Sequence, residues 1–177
     1  GAQAGIYYHY GIDKVPLEEK LFGIFRHRVL NRKIPLVRGF DDVFFAPHSR
    51  HTDVPIEKIR EDERLMILAE SEAAGAFLVM AQDGRQIFVM GHPEYDRMTL
   101  DKEYKRDKEK GLPIKIPVNY YENDDDTKKP LLTWRAIANN LYTNWLLDFR
   151  YTTDFIKIVK NLCFFTVKWC SKWCSKY

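Results

Sequence analysis

Apolar residues fall into short blocks separated by glycine, proline and charged runs, a rhythm that predicts a mixed α/β domain. Residues 1–10 join small residues to Ile6, Tyr7 and Tyr8 and stop at Gly11, which predicts a short helix closed by a glycine. Residues 13–20 read as a loop leading into a turn of helix. Residues 21–29 and 34–45 are rich in Phe, Ile, Val and Leu and read as strands, interrupted by Asn31 and Gly39. Residues 47–55 are polar and read as a loop, and 65–69 as a short strand. Two apolar runs, 76–81 and 86–90, flank Asp83-Gly84, the signal of a tight hairpin with positive φ at both central positions. Thr99 is placed to cap a helix over 100–110, ended by Gly111 and charged almost all round, hence exposed. Residues 123–126 form an acidic, solvated turn. Pro130 is expected to open the strongest helix, with Leu131, Trp134, Ile137, Ala138, Leu141, Tyr142, Trp145 and Leu146 on one buried face.

A length of 177 residues suits one domain with its own core. The net charge of +3 gives no reason to expect a nucleic-acid partner. That charge is uneven: residues 149–177 carry six Lys and Arg against Asp154, a local +5, leaving −2 for the rest. All three cysteines, Cys163, Cys170 and Cys174, lie in this same tail, so no disulfide staples the body and a reducing, cytoplasmic compartment is expected. No run reaches the ~18 apolar residues of a membrane span, so no membrane partner is expected. The opening residues lack both an initiator Met and the charged start of a signal peptide, which points to sequence upstream of Gly1. In the tail, Lys168-Trp169-Cys170-Ser171 repeats at once as Lys172-Trp173-Cys174-Ser175, an abrupt change that reads as out-of-frame or fused sequence.

Gly91-His92-Pro93-Glu94 is the first candidate for chemistry. The second apolar run of the hairpin delivers His92 to its end, where α/β sheets place their sites. In extended chain, residues two apart point the same way, so Glu94 can reach the His92 ring. A carboxylate on one ring nitrogen fixes the tautomer and raises the basicity of the other. The bare pattern is weak, since a histidine in a turn is more often simply solvated. The second candidate is the small-residue start, Gly1 to Ile6, which suits the helix that follows a nucleophile elbow. His48 and His51 could suggest a metal, but no third ligand is evident, and none is expected.

These segments in order carry a resemblance. Residues 1–12 (GAQAGIYYHYGI), 20–25 (KLFGIF), 39–42 (GFDD), 47–52 (PHSRHT), 91–96 (GHPEYD) and Trp134-Arg135 through Asn144-Trp145-Leu146 resemble the homoserine O-acyltransferases. This is the acetyl- and succinyltransferase family with a class I glutamine amidotransferase-like fold. The resemblance covers residues 1–147 and leaves 148–177 as an unmatched basic tail. It implies an α/β, flavodoxin-like partial domain that lacks its N-terminal half. It also implies that His92 is the general base, Glu94 its partner, and that Lys20, Ser49 and Arg106 contact substrate. The implied reaction moves an acyl group, acetyl slightly favoured over succinyl, from acyl-CoA to the hydroxyl of L-homoserine in methionine biosynthesis. It proceeds through an acylated cysteine and needs no cofactor. This chain departs from the family at the decisive point: no cysteine precedes Cys163, so the nucleophile must lie before Gly1 and the chain alone is expected to be inactive. Oligomeric state stays open, a homodimer included. Two other readings stand beside this one. The chain could be a glutamine amidotransferase or peptidase relative with a Cys…His-x-Glu layout, or a non-catalytic fragment whose tail touches lipid.

Overall fold

Gly11 adopts a left-handed conformation (φ 72°) and its N–H bonds back to the Tyr7 carbonyl, closing helix α1, Ala2–Tyr10, as the sequence predicts. The computed structural model describes residues 1–152, with side chains through residue 147, so the readings made for the tail lie outside the described residues. Beyond α1 follow strands β1 (Val15–Val29) and β2 (Val43–Asp53), helix α2 (Ile56–Glu61), and strands β3 (Leu65–Ser71), β4 (Gly75–Ala81) and β5 (Ile87–Val89). Helices α3 (Thr99–Glu109) and α4 (Arg135–Thr152) complete the described part. The five strands form one sheet in the order β2-β1-β3-β4-β5, with every neighbouring pair antiparallel.

The sheet divides the core. On one side, Ile6 of α1 and Ile59 of α2 pack with Leu65, Val79 and Phe88. On the other, Leu100 and Tyr104 of α3 and Trp134, Ile137 and Leu141 of α4 pack with Phe22, Ile24, Phe44, Leu78 and Met80. Val79 joins the first cluster while Leu78 and Met80 join the second, the two-residue alternation of a strand buried on both faces.

Several expectations are corrected. Residues 13–20 are largely strand. The register against β2 jumps from Pro16↔Thr52 to Leu21↔Arg50, so a bulge at 17–20 hides the strand pattern from sequence. Residues 47–53 are not a loop but the second half of β2, whose polar side chains are held by specific partners within the fold. Of residues 34–45, the first part is a 3-10 turn, Pro35–Val37, and only 43–45 are strand. At the hairpin tip Gly84 alone has positive φ (72°); Asp83 does not, so the loop is longer than a two-residue turn.

Helix α3 is not exposed all round, because Leu100, Asp101, Tyr104 and Asp107 form a buried stripe. Thr99 makes no side-chain cap; a turn at Asp96 leads into the helix, its carboxylate accepting from Met98 N and its carbonyl from Thr99 N, and the Tyr120 hydroxyl accepts from Asp101 N. Pro130 does not start α4. It bridges to Tyr121, and the helix begins after Trp134, leaving Leu131 and Leu146 exposed.

Gly23 ties the 112–121 segment to the sheet. It has φ +140°, and its neighbours Phe22 O and Ile24 N bond to Val118 N and O at 3.1 and 2.8 Å. A Cβ at position 23 would stand 2.3 Å from Val118 N. Gly23→Ala is therefore expected to lower stability by about 2 kcal/mol or more in urea unfolding. A loss under about 0.5 kcal/mol, the range of an ordinary surface change, would show that this approach is not needed.

Candidate active site

His92 and Glu94 meet as their spacing suggests, but through a turn rather than an extended chain. Tyr95 N donates to the His92 carbonyl at 3.0 Å, with Pro93 at the turn position its fixed φ favours. The turn brings His92 Nδ1 to 2.9 Å from Glu94 Oε1. Carboxylate on Nδ1 makes that nitrogen the donor and leaves Nε2 as the basic one. Tyr95 closes the other side, its ring stacked on the imidazole at 4.4 Å with a 5° interplanar angle. The two polar side chains are 34% and 27% exposed, enough for a substrate to reach and little enough for the contact to hold.

The backbone under this turn is anchored to β2, where His92 N donates to the Pro47 carbonyl at 2.8 Å. The same strand presents Ser49 two residues on. The Ser49 hydroxyl donates to Glu103 Oε1 at 2.7 Å, and the Lys20 ammonium reaches the same oxygen at 2.6 Å. The bulge in β1 aims Lys20 there, with its ammonium 4.2 Å from the Phe22 ring centroid and 3.6 Å from Asp107 Oδ2. Arg106 folds onto Asp107, with Nε at 2.7 Å from Oδ1. That guanidinium, and Lys20 beside it, hold the Asp107 carboxyl below its usual range, so it stays ionised.

Lys20, Ser49 and Arg106 therefore belong to one network, and its hub is Glu103, which the sequence reading missed. Glu103 stands one helical turn before Arg106, and the two line a shallow cavity of about 360 Å³ with Thr99 and Lys102. That spacing was the available signal, but a helix dense in charge conceals it. Tyr95 stands against His92 and within the field of Glu103. Burial first, then the charges of Glu103 and Glu94, hold its phenol well above the usual range, so it remains a neutral donor. Burial and Glu94 do the same for Tyr142.

His48 is buried against His27, and His51 is exposed farther along β2. Among the described residues no group of three or more His, Cys, Asp or Glu side chains is arranged to hold a metal ion.

Comparison with known proteins places this geometry. The homoserine O-succinyltransferase family model matches residues 1–155. The homoserine O-acetyltransferase of Lachnoclostridium phytofermentans is 66% identical over 151 residues, covering 85% of this chain and 50% of that protein. That of Agathobacter rectalis is 66% identical over 161 residues, covering 91% and 52%. The chain thus spans about half the length of the curated relatives it matches. Among solved structures, that of SMU.1228c superimposes with a TM-score of 0.58 at 15% identity, over 82% of this chain and 58% of that one, a likeness of fold alone.

Fold and site together define an α/β protein whose single antiparallel sheet lies between two helical layers and which brings a histidine and a glutamate into contact at the end of that sheet. Within that class, the chain belongs to the homoserine O-succinyltransferase family.

Charge compensation at the hub can be measured. Lys20 and Glu103 are 14% and 18% exposed, so their attraction is only partly screened. A double-mutant cycle of Lys20→Met and Glu103→Leu is expected to return a coupling energy of about 1–2 kcal/mol in chemical denaturation. Additive single effects would mean that the pair is not coupled.

Proposed function

We propose that this chain is the base-bearing and acceptor-binding part of a homoserine O-acyltransferase acting in methionine biosynthesis. In this reading the whole protein transfers an acyl group, acetyl rather than succinyl, from acyl-CoA to L-homoserine. The observation that carries it is the 2.9 Å contact of His92 Nδ1 with Glu94, which leaves Nε2 as the proton-accepting atom. The family's name supports homoserine as the acceptor, and the O-acetyltransferase names of the two relatives support acetyl as the group transferred.

The chemistry follows two steps. A cysteine thiolate, placed upstream of Gly1, attacks the thioester carbonyl; a carbon–sulfur bond forms to the enzyme and the bond to CoA breaks. Homoserine then enters. His92 Nε2 takes the proton of its side-chain hydroxyl as that oxygen attacks the acyl carbon. The enzyme carbon–sulfur bond breaks, and the imidazolium returns its proton to the departing thiolate. Glu94 stabilises the imidazolium that exists between these transfers. Arg106 offers a planar, two-pronged partner for the homoserine carboxylate, and engaging it requires the guanidinium to leave Asp107. In this reading Lys20 and Ser49, both bonded to Glu103 Oε1, are further side chains that contact substrate.

The test uses the chain extended upstream to the length of its relatives, assayed with homoserine and either acetyl-CoA or succinyl-CoA. His92→Ala should lower kcat by about 10²–10⁴. Arg106→Ala should raise the KM for homoserine roughly ten- to hundredfold with a smaller change in kcat. The 177-residue chain by itself should exchange no thioester. Full turnover in His92→Ala, or no O-acylhomoserine from either donor, would remove the assignment.

A further inference from the structure

Two histidines outside the site stand in the core directly beneath it. His27 of β1 and His48 of β2 are 1% and 0% exposed, and their Nε2 atoms lie 2.9 Å apart. The rings stack at 5.1 Å and 20°. Phe44 stacks on His27 at 5.2 Å, and Phe77 leans on it at 4.7 Å. A nitrogen-to-nitrogen contact is satisfied only when one nitrogen carries a proton and the other a lone pair, which two neutral imidazoles provide.

Arg50 decides which ring donates. Its guanidinium has donors only, and its Nε–H is directed at His48 Nδ1 at 3.5 Å. His48 is therefore assigned its proton on Nε2 and donates to His27 Nε2. His27 keeps its own proton on Nδ1. That atom feels the Phe25 backbone, yet it reaches no partner at hydrogen-bonding geometry. A buried, unsatisfied donor costs about 1–3 kcal/mol. Two apolar rings would fill the same space without that cost, so packing alone does not account for the pair.

A second observation places the pair under the base. A Cβ at Gly91 would stand 2.8 Å from the Phe77 ring, 3.0 Å from His48 Nε2 and 3.0 Å from the Pro47 carbonyl. The main chain entering His92 thus rests on the His48 ring as closely as only glycine permits. The next amide, His92 N, is bonded to Pro47 O, the carbonyl immediately before His48.

We propose that the His27–His48 pair is a positioning element for His92: its neutral rings form the floor that sets where His92 meets Glu94, and that floor gives way when acid forces charge onto it.

Acid acts in one direction only. Burial first, helped by Arg50, pushes the His27 imidazole down to about 3. Burial, then His27, Arg50 and His92, pushes His48 well below its usual value. The groups facing the pair are Arg50 from β2 and His92 from the turn after β5; β1 and β4 present the rings of Phe25 and Phe77. The unfolded chain protonates both imidazoles near their ordinary value of about 6.5, whereas the folded chain resists. Stability is therefore complete above about pH 6.5 and falls as pH drops toward about 3, by up to tenfold in the folding equilibrium per pH unit for each ring.

The inference rests on His92 being the base. Imidazole NMR of the purified 177-residue chain reads ring placement without turnover, so failure of one idea is separable from failure of the other. In wild type, the His92 Nδ1–H signal in contact with Glu94 should be present at pH 7 and vanish together with protonation of His27 and His48. His48→Ala, with circular dichroism unchanged, should shift or broaden that signal, and His48→Gln, which keeps a donor toward His27, should restore it. An unchanged signal in folded His48→Ala would reduce the pair to core filling. Where His48→Ala does not fold, wild-type unfolding between pH 6.5 and 5 decides. It should take up between about one and two protons, and uptake below about half a proton would overturn the proposal.

Discussion

The hydrogen bond from His92 N to the Pro47 carbonyl is the constraint on which the site depends. Three consecutive residues of β2 serve three purposes. Pro47 anchors the backbone of His92, His48 supports Gly91 from below, and Ser49 reaches across to Glu103. Their side chains can differ so sharply because a strand turns successive residues to opposite faces. His48 enters the core, while Ser49 faces α3 at the half-exposed rim. A slip of one residue in the β1–β2 register would invert these roles, and the long run of paired residues from Leu21↔Arg50 to Arg28↔Val43 prevents it.

Charge balance gives the second layer of the account. Lys20, Glu103 and Asp107 are sheltered enough that an isolated charge would be costly, while Arg106, more than half exposed, covers Asp107 from the solvent side. Each charge has an opposite neighbour within reach, so none needs to be neutral for the chain to fold. The same contacts keep these side chains out of random rotamers. Tyr95, neutral and stacked on His92, feels the carboxylates of both Glu103 and Glu94.

Much of this was legible along the chain where the cause is local. The Gly11 helix stop, the Asp83-Gly84 hairpin and the His92–Glu94 contact each need only a few neighbouring residues. The polar half of β2 was not legible, because His48, Arg50 and Thr52 look like loop residues until their partners His27, the Ala74 carbonyl and Gln3 are brought near by the fold. Lys20 lies at a bulge that breaks the strand period, and the buried stripe of α3 is half acidic, so hydrophobicity does not mark it. Glu103 escaped for the same reason. Its importance comes from β1 and β2, residues 83 and 54 positions away in sequence.

Chemical rescue tests the central claim most directly. In the protein extended to the length of its relatives and acylated on its cysteine, His92→Ala should deacylate slowly when homoserine is added. Imidazole supplied in solution should then restore a substantial part of the rate, in proportion to its neutral form, because it can occupy the space beside Glu94 and Tyr95 and accept the hydroxyl proton. A deacylation rate indifferent both to the loss of His92 and to added imidazole would contradict the account.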